Sequence, residues 1–136
     1  MSDAVKAGFV YSLLVFLAAA MLGSIRQTVL APLFGPATAV MIELPIILAV
    51  SWNICGIVLQ HVPAAPAIGL RLIMGASALV FILLEELVLA MLAFGQSFAV
   101  FVAQYSTLQG LLGLAGQVAF GLIPLLRLAA PRSAGD

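Results

Sequence analysis

At 136 residues the chain amounts to one domain or one small bundle, 65% hydrophobic and only 7% charged, where soluble domains run at about 45–50% and 25%. No soluble interior of that size hides so much apolar surface, so the expected solvent is lipid. Zero net charge excludes a basic field for nucleic acid, and a lone cysteine, Cys55, excludes an internal disulfide or a cysteine-built metal cluster.

Four apolar segments reach the roughly 20 residues that a spanning helix needs: residues 7–30, 37–59, 68–94 and 108–129. The first, after Lys6, has features of a secretory signal: a basic start, an apolar stretch and small residues. Apolar character resumes past Arg26, so the segment reads as a retained membrane helix. "APLFGP", Ala31 to Pro36, predicts a short turn, and the proline-rich "HVPAAPAIG", His61 to Gly69, predicts a second. Links this short predict antiparallel neighbours. The expected fold is an all-α membrane protein, an antiparallel four-transmembrane-helix bundle forming a single integral membrane domain over residues 1–136.

The third link, "GQSFAVFVAQYSTLQG" from Gly95 to Gly110, is polar at its ends and carries Phe98, Phe101, Val102 and Tyr105 at helical spacing. It predicts a short interfacial helix between helices 3 and 4, the alternative being an extension of a spanning helix. The closing "PRSAGD" reads as a solvated tail. Orientation follows from the basic residues. With four helices, the termini and the middle turn share one side, which holds Lys6, Arg71, Arg127 and Arg132, whereas the other side has only Arg26. Both termini are therefore expected in the cytoplasm.

The costly groups share a depth. Counted at about 1.5 Å per residue, Arg26, Gln27, Glu43, Glu85, Glu86 and Gln117 come from four helices yet fall in one slab of the outer half of the membrane. A charge at the centre of a membrane helix costs about 2.5–3.5 kcal/mol on insertion scales, so these groups are expected to face one another. One guanidinium, Arg26, then meets three carboxyls, Glu43, Glu85 and Glu86. A bidentate pair satisfies one of them, which leaves at least one carboxyl to take a proton as its partner.

Of the adjacent acids, Glu86 shares a helix line with Gly75, Leu79, Ile82, Ala90 and Ala93, a face rich in small residues that let helices approach, and is expected to point inward. Glu85 follows the bulkier line of Arg71, Met74, Ala78, Phe81 and Leu89 and is expected at the bundle's edge or at a subunit contact. Gly110, Gly113, Gly116 and Gly121 give the fourth helix a close-packing face around Gln117, whose amide is placed to reach a carboxyl across the bundle.

Each group also has a purely structural reading. Arg26 and Glu43 serve equally well as an interhelical staple, and Pro45 and Pro124 as fixed bends. Tyr11 and Trp52 lie too deep for the interfacial belt and are expected inside, Tyr105 suits an interfacial anchor, and His61 a solvated turn. A single histidine predicts no metal site. There is no phosphate cradle, no HExxH or CxxC, and no base beside any serine, so neither a cofactor nor enzyme chemistry is expected.

"GSIRQTVLAPLFGP", "IELPIILAVSW", "RLIMGASALV", "GQSFAVFVAQY" and "GQVAFGLIPLL" as a set resemble small uncharacterised four-helix inner-membrane proteins of bacteria. The likeness covers nearly the whole chain and is carried mostly by the Arg26-to-Pro32 and Glu43–Leu44–Pro45 elements. It implies a bacterial inner (cytoplasmic) membrane location and a helix count, but no mechanism. Three functions compete, ahead of an intramembrane enzyme. The first is proton- or cation-linked transport or channel activity through Glu43 and Glu86, which at this size requires a homo-oligomer. The second is an accessory or assembly subunit in a larger membrane complex, and the third a lipid- or pigment-binding scaffold. The first is preferred.

Overall fold

The computed structural model describes residues 2–61 and 66–129, and every element within them is helical. α1 (Asp3–Ile25) starts on Ser2, whose hydroxyl accepts from the Val5 amide at 3.3 Å, while Asp3 places a favourable negative charge in the first turn. The helix does not stop at residue 30. A π-helical turn (Arg26–Leu30) leads directly into α2 (Ala31–Phe34), so one helical stretch of 32 residues runs from Asp3 to Phe34. Pro32 accounts for the irregularity: it has no amide to donate, and the wide turn before it closes on an i→i−5 bond from the Ala31 amide to the Arg26 carbonyl.

The six-residue turn expected at "APLFGP" thus contracts to Gly35, at φ 88° and ψ 159°, a conformation open essentially to glycine alone. Pro36, with its φ preset, opens α3 (Pro36–His61). Residues 62–65 of the proline-rich turn expected over 61–69, and the tail with Arg132, lie outside the described residues. α4 (Ile68–Ala93) ends before Gly95, which turns the chain at φ 64°. Ser97 then caps α5 (Phe98–Ala103) by accepting from the Val100 amide at 3.2 Å. The third link therefore does hold a short helix, of six residues. After a 3-10 turn (Gln104–Ser106), Thr107 accepts from the Gly110 amide and donates to the Gln104 carbonyl, which launches α6 (Leu108–Ala129).

Four helical stretches, of 22 to 32 residues, are long and apolar enough to cross a membrane. They pack as a ring that departs from chain order. α1 and α6 each lie against both α3 and α4, whereas α3 and α4, although consecutive, sit across the diagonal from one another among the described residues. A short link therefore does not make these two helices neighbours; close-packing faces decide. A side chain on Gly8 would run into Ser77 and the Met74 carbonyl of α4, and one on Gly75 into the Gly121 carbonyl of α6. Contacts between α1 and α4 climb both segments together: Gly8 with Met74, Phe9 with Phe81, Ser12 with Glu85. Those between α4 and α6 run in opposite order: Arg71 with Pro124, Gly75 with Gly121, Glu86 with Gln117.

Residues three or four apart fill the core. Ala4, Ala7, Tyr11 and Val15 of α1 meet Met74, Ala78 and Ile82 of α4, Cys55 and Val58 of α3, and Phe120 and Ile123 of α6. Tyr11 is fully buried and stacks on Phe120 with ring centroids 4.4 Å apart, bridging the α1–α6 diagonal. Its hydroxyl also donates to the Phe120 carbonyl at 2.8 Å. That carbonyl lies four residues before Pro124 and so has no helical amide to receive; Tyr11 supplies the missing donor. Trp52 packs partly buried against the same core. The outward faces are apolar too, with Leu17, Met21, Ile57, Leu72, Val88 and Leu92 all exposed.

Candidate functional site

The π turn, the start of α3, the last turns of α4 and the first turns of α6 meet at the end of the bundle that carries Gly35. Arg26 opens the π turn, and its Nη1 donates to Glu43 Oε2 at 2.7 Å, the one ion pair among the described residues. Glu43 is buried in the α3 wall, two residues before Pro45. On the facing wall Glu86 of α4 turns inward, and its Oε2 accepts from Gln117 Nε2 of α6 at 2.7 Å. Glu85 is rotated from it by about 100°. It enters the seam between α1 and α4 instead, where Ser12 Oγ donates to its Oε1 at 3.1 Å. Its other oxygen is buried without a hydrogen-bond partner.

These five residues do not form a single knot of one guanidinium and three carboxyls. Arg26 neutralises Glu43, whereas Glu86 and Glu85 are each held by a neutral donor, an amide and a hydroxyl. Arg26, Glu86 and Gln117 border a cavity of about 600 Å³ that Glu85 does not reach. Five of the chain's six glutamines line this cavity: Gln27, Gln96, Gln104, Gln109 and Gln117. Amides supply donors and acceptors without charge, so the chamber suits water and ions while holding little fixed charge of its own.

A smaller cavity of about 110 Å³ shares Arg26, Val40, Glu86, Gly113 and Gln117 with the larger one. Its further walls are mostly apolar, including Val15, Ile47, Ile82 and Phe120, with Glu43 and Ser51 as polar exceptions. Glu86 and Gln117 therefore stand on the threshold between a polar chamber and an apolar pocket. Beyond it the Tyr11–Phe120 stack fills the bundle.

The link between α4 and α6 contributes more than its aromatic stripe predicts. Phe101 is buried and meets Tyr105 edge-on, with centroids 5.8 Å apart. Tyr105 is half-buried: its hydroxyl is buried without a partner, and the residue lines the chamber beside Gln104 and Thr107. Burial, and after it the negative charge of Glu86, push the Tyr105 phenol above its ordinary value, so it stays a neutral donor at physiological pH. Gln117 Oε1 is likewise buried and unpartnered, which gives the chamber an unused acceptor as well as an unused donor. No charge or periodicity in the sequence marks this lining; the glutamines gather at one end of the bundle only in the fold.

The remaining polar residues lie elsewhere. Cys55 is fully buried in the core, and His61 is exposed at the end of α3, its Nδ1 3.0 Å from the Ile57 carbonyl. No family model, curated protein or solved structure matches the chain.

Proposed function

We propose that the chain is a polytopic membrane protein whose four long helices cross a bilayer in alternating directions, with both termini in the cytoplasm. In this reading the glutamine-lined chamber is the outer vestibule of a proton- or cation-linked transport or channel path, and Glu86 is the group that takes up the ion. The spanning part draws support from length: at about 1.5 Å per residue even the shortest stretch, Leu108–Ala129, matches a hydrocarbon core of about 30 Å. It also draws support from the apolar outward faces, which a soluble monomer rarely presents over such an area. The bacterial inner membrane is the expected location, and α5 is assigned to the membrane interface.

One observation carries the ion-linked part. Glu86 borders a large polar chamber and has an amide, not a cation, as its hydrogen-bond partner, while the neighbouring Arg26 is committed to Glu43. In a low-dielectric bundle such a carboxyl gains most from a proton or a small cation. Among the described residues no three His, Cys, Asp or Glu side chains gather, which favours a proton or a monovalent ion over a chelated divalent metal. Glu43, with its charge matched, acts as a brace for Arg26. The filled core below the threshold means that passage needs either a rearrangement or a second copy, so the working unit is proposed to be a homo-oligomer.

Flux into proteoliposomes, followed with a pH-sensitive dye and with monovalent-cation tracers, tests the reading. Wild type is expected above the protein-free background, Glu86→Gln at background, and Glu85→Gln near wild type. Background flux of every ion by a monodisperse wild-type protein would remove the proposal. The accessory-subunit reading draws on Asn53, which is exposed on the apolar face of α3 and donates only to the Ala49 carbonyl at 2.8 Å. Its carboxamide oxygen is available to another chain's helix. Co-purification of a different membrane protein, together with absence of flux, would favour that reading.

A further inference from the structure

The end of the bundle opposite the chamber holds two cations that, among the described residues, form no ion pair. Arg71, in the first turns of α4, donates from Nη1 to the Pro124 carbonyl at 3.1 Å, and its Nε is buried without a partner. Arg127, near the end of α6, donates from Nε to the Trp52 carbonyl at 3.1 Å and lies over the Trp52 ring, 4.7 Å from its centroid. The Arg127 fork occupies the space beside Gly56, where a side chain would collide with it. Pro124 and Arg127 are three residues apart on one helix, so Arg71 is anchored within one turn of the residue that carries the second guanidinium.

Each guanidinium is bonded only to a main-chain carbonyl, and carbonyls carry no compensating charge. Glu86 lines the chamber, Glu43 the smaller pocket beside it and Glu85 the α1–α4 seam, while Asp3 is exposed at the start of α1. Arg71 is further disfavoured by the positive end of the α4 dipole. A single anion at this end of α6 offsets both positive charges and the unfavourable dipole together. Among anions, phosphate groups match planar guanidinium forks best, accepting two parallel bonds from each.

We propose that Arg71 and Arg127 form a binding site for a phosphate group, presented either by the headgroup of an anionic phospholipid or by a soluble phosphate. The site is independent of Glu86 and of any ion flux. Trp52 beneath Arg127 holds that guanidinium by a cation–π contact, and basic pockets between helices on a cytoplasmic side are where anionic headgroups bind.

The test uses the full chain in detergent, titrated by native mass spectrometry with short-chain phosphatidylglycerol and with phosphatidylcholine of the same tails, and by thermal unfolding with inorganic phosphate. Phosphatidylglycerol is expected to bind about tenfold more tightly than phosphatidylcholine, and Arg71→Gln and Arg127→Gln each to lose about tenfold, the scale of a charge-assisted bond. Gly56→Ala displaces the Arg127 fork while keeping both charges and is expected to weaken binding as well, so a loss need not come from removing a charge. Phosphatidylglycerol binding that millimolar phosphate does not displace assigns the site to a lipid headgroup. Stabilisation by phosphate alone, with displacement of the lipid, assigns it to the soluble anion. Equal binding of the two lipids with no effect of phosphate, or undiminished binding in the Arg71→Gln/Arg127→Gln protein, overturns the proposal.

Discussion

Glu43 accepts from a guanidinium at 2.7 Å and Glu86 accepts from an amide at the same distance. The neighbour's charge therefore decides what each carboxyl can do. Removing one member of a buried pair strands the other, at a cost of about 3–5 kcal/mol when both are sealed in. Here the Arg26 side chain keeps 28% of its surface accessible against 10% for Glu43, so Arg26→Gln is expected to cost less, about 2–4 kcal/mol. Adding Glu43→Gln removes the stranded charge and is expected to recover at least half of that loss in detergent unfolding titrations. If the double variant is the less stable, the pair is not electrostatically coupled. Tyr11 offers a sharper test. Its bond to the Phe120 carbonyl matters because Pro124 withholds the helical amide. Tyr11→Phe keeps the ring stack but leaves that carbonyl bare, for about 1–3 kcal/mol. In a Pro124→Ala background the new amide supplies the donor and the same change should cost about 1 kcal/mol less. Strictly additive costs would show that the hydroxyl is not standing in for the amide that Pro124 lacks.

Whole helices meet here through missing side chains. The carbonyl of Gly121 occupies the place where a Gly75 side chain would stand, whereas a side chain on Gly113 would meet nothing within 4 Å. Gly75→Ala must push α4 away from α6 and is expected to destabilise by about 3 kcal/mol, the upper range of overpacking, whereas Gly113→Ala is expected to be near neutral by the same unfolding assay. Equal effects would mean that the two helices approach elsewhere. Of the small-residue line read in the sequence, Gly75, Ile82 and Ala90 are buried and Ala93 is exposed, while Met74 and Ala78 on the line through Glu85 are fully buried as well, because a helix packed between two neighbours buries more than one line of residues spaced by three or four. Spacing cannot say which helix that side meets, and so it does not reveal that α3 and α4 lie on a diagonal. Local turn chemistry fails for a different reason at "APLFGP". Two prolines and a glycine read as a turn, yet a π register before Pro32 removes the need for its amide and carries the helix on to Phe34. The chamber lining escapes detection because a glutamine's amide carries no charge and those in the link follow no period; only folding brings Gln27, Gln96 and Gln104 together.

At the scale of the molecule the two ends differ in kind. One end holds an amide-lined chamber with its carboxyl on the threshold, the other a pair of arginines, and between them lies the filled core around Tyr11 and Phe120. A molecule built this way across a bilayer should show water-soluble reagents two separate surfaces, and the chain suits thiol mapping because its one cysteine, Cys55, is fully buried and so inert to bulky reagents. Gln96 lines the chamber, and Gln60 is exposed in the last turn of α3. In intact cells a membrane-impermeant maleimide is expected to label Gln96→Cys but not Gln60→Cys, and to reach the latter only after permeabilisation. The opposite pattern would reverse the orientation, and equal labelling of both would remove the spanning arrangement itself. Depth can be read by the same chemistry. Gln117→Cys, on the threshold, should react with a small cationic thiosulfonate from the chamber side, whereas Phe120→Cys, three residues deeper and 3% exposed in its native form, should not. Reaction at 120 as fast as at 117 would mean that water passes the threshold freely, and Glu86 would then face a continuous aqueous channel with no need to bind the ion it passes.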